Sequence, residues 1–392
     1  MSSGSWTTAV RRTEGPGRST VGPIELFFDL VYVLSIVQLS HFLLHDLTWE
    51  GVLKFAVIFG AIWWAWNYTA WAMNWLDPAS GLVRLLNAVL MLAGFGMAVA
   101  VPEAFGERAG LFVGCLVAAQ LLRPVFMIVA FQGHVLARNY AHLLAWSATA
   151  GVLWVIGVFA PDPQRLWLWV AALAVDVIAP RLDFRVPGFG GAPMDDWPTD
   201  AAHLAERNRL VFIIALGESI LILGLTLADL TDISTSTITV TLLGFAGLVV
   251  LWWGYFAVAS EEARPEDHTG VHTAVLRSAF AYAHSLMVVG AIVVAVSIEL
   301  RLSHDHLDEA TVLATVGGPL LYLVGNVLYL RSRGSTIVMS RFVAAGVLAV
   351  IGVVGLLAMD QLEPIVLGLL VVGTMTVLVV YSQYRSAQLE RG

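Results

Sequence analysis

Apolar stretches long enough to cross a bilayer recur along this chain from end to end and leave little room for anything else. A helix needs about 20 apolar residues, at 1.5 Å each, to span a hydrocarbon core roughly 30 Å thick. Such stretches cover 24–44, 51–75, 82–102, 110–131, 139–160, 165–181, 207–228, 237–258, 275–300, 310–331, 339–359 and 363–384. The sixth is the shortest and carries Asp176. The expected fold class is all-α: a polytopic integral membrane protein of about twelve transmembrane helices, with the lipid bilayer as its main partner. Only 13% of the 392 residues are charged, about half the share in soluble domains, so most side chains are not expected to meet water. Residues 1–23 are polar, hold Arg11, Arg12 and Arg18, and enter the first stretch without a small-residue cleavage pattern. That predicts a retained first helix and not a signal peptide.

Positive charge orients the spans. With a cytoplasmic N-terminus and twelve crossings, sixteen of the 21 basic residues fall in inner segments and four (Lys54, Arg108, Arg165 and Arg301) in outer ones, Arg123 lying within a span. Both termini are therefore expected on the cytoplasmic side of the membrane. The halves also look alike. ELFFDLVYVLSIVQL from Glu25 is followed by WWAWNYTAWA from Trp63, and ERNRLVFIIALGESI from Glu206 by LWWGYFAVAS from Leu251. The next stretch opens on Arg84 in one half and on Arg277 in the other. An even number of spans per half gives two parallel six-helix repeats, over 24–180 and 206–384. The Pro-, Gly- and Asp-rich segment 181–205 reads as a cytoplasmic linker, and 385–392 as a C-terminal tail.

Several classes of function are not supported. Cys115 is the lone cysteine, so no cysteine cluster can hold a metal and no intrachain disulfide can form. No basic patch with interleaved aromatics suggests a nucleic-acid partner. There is no P-loop, nucleophile elbow or zinc-protease motif, so neither enzyme activity nor a cofactor is expected. Glu266, Asp267, His268 and His272 form an acidic loop, but two histidines without a clear third ligand are weak grounds for a metal site.

Ionisable side chains inside the spans are costly, about 2.5–3.5 kcal/mol each at the bilayer centre on insertion scales, and so mark sites to be explained. They are Glu25, Asp29, Arg123, Asp176 and Glu218. Glu25 and Asp29 share a helix face at i,i+4. Asp29, Arg123 and Asp176 fall in one cytoplasmic-side layer, which predicts an ion pair of Arg123 with Asp29 or Asp176. Glu218 lies near the middle of its span between Gly217 and Ser219, with no base at its depth. The ionised form is unfavourable there, and small neighbours leave room for a ligand. Glu218, Ser219, Asp29, Gln38 and Glu25 are thus the candidate pathway for an unknown small solute or ion. Asn67, Asn87, Gln120, His284 and Asn326 are further polar residues within spans, and Trp63–Trp66 read equally as core or pore wall.

The Glu25-Leu-Phe-Phe-Asp29-Leu-Val run, with Gln38 and Leu39 closing the helix, resembles the opening of the bacterial low temperature requirement protein A (LtrA) family. Glu206-Arg207 followed by Leu216-Gly217-Glu218-Ser219-Ile220 resembles that family's second hallmark. The likeness extends from Val21 to the last span and implies a multi-pass membrane protein whose activity the family does not define. Phe28-Asp29 also resembles the Phe-Ser-Asp motif of endolysosomal potassium channels, although Pro23 replaces the arginine expected there and Arg209-Leu210-Val211 stands where the motif would recur. The expected function is that of a secondary transporter or permease with proton coupling, the alternatives being an ion channel or a membrane sensor or accessory protein.

Overall fold

The computed structural model describes residues 10–11, 21–229, 234–261, 273–303, 306–333 and 338–389; the acidic loop 266–272 lies outside them. The chain is all-α, with no strand among the described residues and two isolated bridges, Arg11–Leu76 and Val186–Gly190. The long helices are α1 (Pro23–His45), α2 (Trp49–Ala72), α3 (Gly81–Ala100), α4 (Ala109–Ala130), α5 (Val135–Phe159), α6 (Gln164–Ile178), α7 (Ala201–Asp229) and α8 (Thr235–Glu261). They continue with α9 (Thr273–Ser303), α10 (Glu309–Ser332), α11 (Met339–Leu357) and α12 (Pro364–Leu389). Ten helices among the described residues are long and apolar enough to cross a membrane. The exceptions explain themselves: α6 has 15 residues, and α2 carries five tryptophans and Asn67, which lower its mean hydropathy.

The chain divides into two compact units, one running to Leu210 and taking in 272–274, the other comprising 211–271 and 275–392. In the first, α2 is central. It packs on α1, α4 and α6, and every residue from Ala61 to Ala72 is buried. A helix apolar on all sides belongs in a core, and Trp63, Trp64 and Trp66 stack there with Phe59 and Tyr68. Contacts sort the loops of this unit onto two ends. Arg11 Nε donates to the Ala130 carbonyl at 2.9 Å, Asp77 N to the Val10 carbonyl, and Arg138 pairs with Asp196, joining the N-terminal segment, the α2–α3 and α4–α5 loops and the 181–205 segment at one end. Arg165 donates to the Phe105 carbonyl, and Lys54 lies over the Phe105 ring, at the other. The 181–205 segment is a folded cap more than a linker. Trp197 is buried against Trp75, Tyr140 and Phe184, and its carbonyl accepts a bond from Thr273.

In the second unit α9 and α10 form the closest pair. A Cβ on Gly290 would stand 2.7 Å from the Gly318 oxygen and the Tyr322 nitrogen, and one on Gly325 2.7 Å from the Ala283 oxygen, so the backbones touch along a glycine seam. A π-helical stretch, Arg277–Ala283, sits within α9. His284 ends it, its Nδ1 2.9 Å from the Ala279 oxygen and its Nε2 2.9 Å from the Tyr255 hydroxyl. Around the rim, α8 packs on α12, and α11 on α10 and α12. Helix α11 is the most exposed: Phe342, Val343, Val347, Val350, Val354 and Leu357 form an outward apolar stripe, matched in the first unit by Leu82, Leu85, Val89 and Leu92 of α3. Apolar stripes of this extent are stable against lipid and not against water.

Candidate functional site

The most concentrated chemistry lies where side chains from the first two turns of α1 and of α7 meet in the first unit. Helix α1 starts with Pro23 in its first turn, a position that tolerates the missing N–H. Helix α7 starts because Asp200 caps it, Oδ1 accepting from the Ala202 and His203 amides at 3.0 and 3.1 Å. Each helix then presents two polar side chains one turn apart: Glu25 and Asp29 on α1, His203 and Arg207 on α7. All four are fully buried.

They interlock as two rungs. On the outer rung His203 Nε2 lies 2.8 Å from Glu25 Oε1, while Glu25 Oε2 accepts from the Gly22 amide at 2.9 Å. One turn deeper, Arg207 grips Asp29 in a fork, Nε to Oδ2 at 3.0 Å and Nη2 to Oδ1 at 2.5 Å, with Nη1 reaching back to Glu25 Oε1 at 3.4 Å. Trp66 Nε1 adds a second donor to Asp29 Oδ1 at 2.7 Å. The guanidinium lies against the rings of Phe28 and Trp66, 5.8 Å from each centroid. A planar bidentate contact stacked on aromatic faces is an arrangement that arginine makes and lysine cannot.

A second buried group sits on the other side of α2. Asp176 Oδ2 accepts from Gln120 Nε2 at 2.9 Å, and the Asp176 carbonyl accepts from the Tyr68 hydroxyl. Arg123 Nη1 donates to the Ala65 carbonyl at 3.1 Å and to Thr69 Oγ1 at 3.0 Å, with its guanidinium 5.2 Å from the Tyr68 centroid. The expected ion pair of Arg123 with Asp29 or Asp176 is therefore corrected: among the described residues Arg123 makes no carboxylate contact within 4 Å. Arg207 takes Asp29 instead, and a carbonyl and hydroxyl of α2 reach Arg123 first. Asp29, Arg123 and Asp176 do share the neighbourhood of α2, which separates the two acids' partners.

The remaining candidates are placed differently. Glu218, in the second unit's part of α7, is 4% exposed and has no hydrogen bond or ion pair among the described residues. Ser219 bonds its own helix, Oγ to the Ala215 carbonyl at 3.1 Å, and a Cβ on Gly217 would meet open space. Gln38 is half-buried, away from the α1 face that carries Glu25 and Asp29. Sequence reasoning left His203 unnamed, gave Arg207 only as part of a family hallmark and read Trp66 as core or pore wall, so none of the three was assigned to this site. The i,i+4 spacing of His203 and Arg207, the same as that of Glu25 and Asp29, was the available signal, hidden because His203 precedes the apolar run and Arg207 stands at its edge.

Comparison with known proteins fits this picture. Residues 20–380 match the family described as bacterial low temperature requirement A protein (LtrA). The chain is 35% identical over 322 residues to the uncharacterized protein RA0937 of Rhizobium meliloti (strain 1021), covering 80% of this chain and 78% of that one. No solved structure matches it. From the opening motif on α1 to α12, the chain belongs to the LtrA family of multi-pass membrane proteins.

Proposed function

We propose that this LtrA protein is a secondary transporter of the bacterial plasma membrane and not an enzyme. In this reading it has twelve spans in two parallel six-helix repeats, with both termini cytoplasmic, and couples protons to a small solute or ion. The observation that carries the proposal is the desolvated set Glu25, His203, Arg207 and Asp29. Ion pairs buried this completely are often no more stable than apolar packing of the same shape, and in a membrane they are expected where charge performs work. The set holds two carboxylates, one permanent cation and one imidazole within hydrogen-bonding reach of a carboxylate, a constellation able to take up and release a proton. That proton would bias how α7 docks on α1. Eleven residues further along α7, about 16 Å at helical rise, Glu218 offers a carboxylate with space beside it. The repeat is supported by recurring neighbours: α2 packs on α6 as α8 does on α12, and α3–α4–α5–α6 pack in sequence as α9–α10–α11–α12 do. A channel reading is less well supported, since Phe28 is buried and both Asp29 oxygens are engaged.

Reconstituted into liposomes, the protein should move one member of a panel of ions and small solutes at a rate that depends on an imposed pH gradient. Glu218→Gln, which keeps the shape of the protonated acid, should insert normally and lose that dependence. Unchanged pH dependence in both Glu218→Gln and His203→Gln would sink the proton-coupling reading, and uphill-incapable, channel-like flux would sink the transporter.

A further inference from the structure

The second unit contains a pocket that the scheme above does not use. It lies among α8, α9, α10 and α12, a cavity of about 30 Å³ for water-sized occupants that opens in part to the outside. Its walls are apolar, with Leu243, Ile298 and Val371 prominent. Three polar residues line it: Arg301 and Ser297, one turn apart on α9, and Thr315 on α10.

Arg301 is the unusual member. It is 6% exposed, and its Nε donates to the Ser297 carbonyl at 3.1 Å, which fixes the side chain along its own helix. Its Nη1 is buried without a hydrogen-bond partner among the described residues, and so is Thr315 Oγ1. Ser297 Oγ donates to the Val294 carbonyl at 2.8 Å and keeps acceptor capacity only. Glu299 does not neutralise the arginine. Two residues away it lies some 200° around the helix, and no ion pair joins the two. Helix α12 makes the space for the guanidinium, because a Cβ on Gly368 would overlap Nη1. A buried cation with a free donor and a free hydroxyl, both lining one apolar pocket, are complementary to an anionic head on an aliphatic body.

We propose that this pocket binds a small organic anion, a carboxylate paired with Arg301 and Thr315 whose short aliphatic chain lies against Leu243, Ile298 and Val371. An acidic lipid presents the same chemistry, an anionic oxygen group on an aliphatic chain, and is the other source to be distinguished. The site stands apart from the transport reading, since it is tested by binding alone.

The test uses the full chain in phosphatidylcholine nanodiscs, with thermal unfolding followed by tryptophan fluorescence at constant ionic strength. Sodium acetate, propionate and butyrate should raise the midpoint in a saturable way, with affinity rising about four-fold per added methylene and chloride weakest. Arg301→Gln should weaken butyrate at least ten-fold, the loss of a charge-assisted hydrogen bond. Thr315→Val, which keeps the shape and the charge, should weaken it a few-fold and guards against misfolding of the arginine variant. If the carboxylates do nothing while native mass spectrometry finds phosphatidylglycerol retained by the wild type and lost from Arg301→Gln, the occupant is lipid and the soluble acid is refuted. If neither binds, or both variants respond like the wild type, the site does not exist.

Discussion

Replacing Arg207 with Met gives the sharpest test of how the first unit is held together. The substitution keeps most of the side-chain volume and removes the permanent cation that, among the described residues, contacts both Glu25 and Asp29. Both carboxyl groups are fully buried, so water cannot take over. Breaking a buried pair from one side costs about 3–5 kcal/mol. An independent estimate comes from letting one carboxyl take up a proton instead. With an ordinary pKa near 4 this costs about 1.4 kcal/mol per pH unit, or about 4 kcal/mol at pH 7. The two agree, and the second gives a signature. The folded variant then binds a proton that its unfolded chain releases, so its deficit should shrink by about 1.4 kcal/mol for each unit the pH is lowered from 7 towards 5. Reversible unfolding in bicelles at several pH values, on wild type, Arg207→Met and the triple variant Glu25→Gln, Asp29→Asn, Arg207→Met, measures both quantities. The triple variant should recover most of the loss, because no charge is left stranded. A single variant no less stable than the triple, or a deficit that does not change with pH, would refute the argument.

Trp66→Phe removes the Nε1 donor to Asp29 but little volume and should cost about 1–3 kcal/mol in the same unfolding assay; in the Asp29→Asn background the penalty should fall. Gly290→Ala places a methyl where the Gly318 and Tyr322 backbones already stand at 2.7 Å, and about 1–3 kcal/mol of overpacking is expected, with Gly346→Ala, which meets open space, as the neutral control. In a Cys115→Ser background, cysteines at Ala79 and Gln132 should react with an impermeant thiol reagent from one side of the membrane only and a cysteine at Glu107 from the other; labelling of all three from one side would overturn the two-ended arrangement of the loops.

Hydropathy made the long helices legible because lipid imposes the same length and apolarity on every span. Helices α2 and α6 are the two that composition describes least well, for opposite reasons. The tryptophans that depress the hydropathy of α2 are what fill the first unit's core, while α6 is only 15 residues long. The stripe of Glu25 and Asp29 was legible from spacing, but its partner was not. Arg207 stands at the polar edge of its apolar run and counts naturally as a charge in the cytoplasm, whereas capping by Asp200 starts the helix six residues earlier and carries His203 and Arg207 into the packed interior. Depth estimated from the start of an apolar run fails wherever a polar turn is helical and covered. The same segment, 181–205, has the composition of a loop, and its fold depends on Trp197, whose aromatic partners Trp75 and Tyr140 lie far away in sequence.

The glycine seam between α9 and α10 constrains how the second unit can rearrange. Side chains that mesh at an ordinary helix interface can swing to new rotamers and let one helix slip along the other. Here the atoms in contact are peptide groups, which have no rotamers to exchange. Sliding by even part of a turn would drive Tyr322 or Val294 into a gap sized for a hydrogen atom. The pair must therefore travel as a single lever, and any flexing in this unit falls to helices joined by branched aliphatic side chains, α11 and α12 foremost.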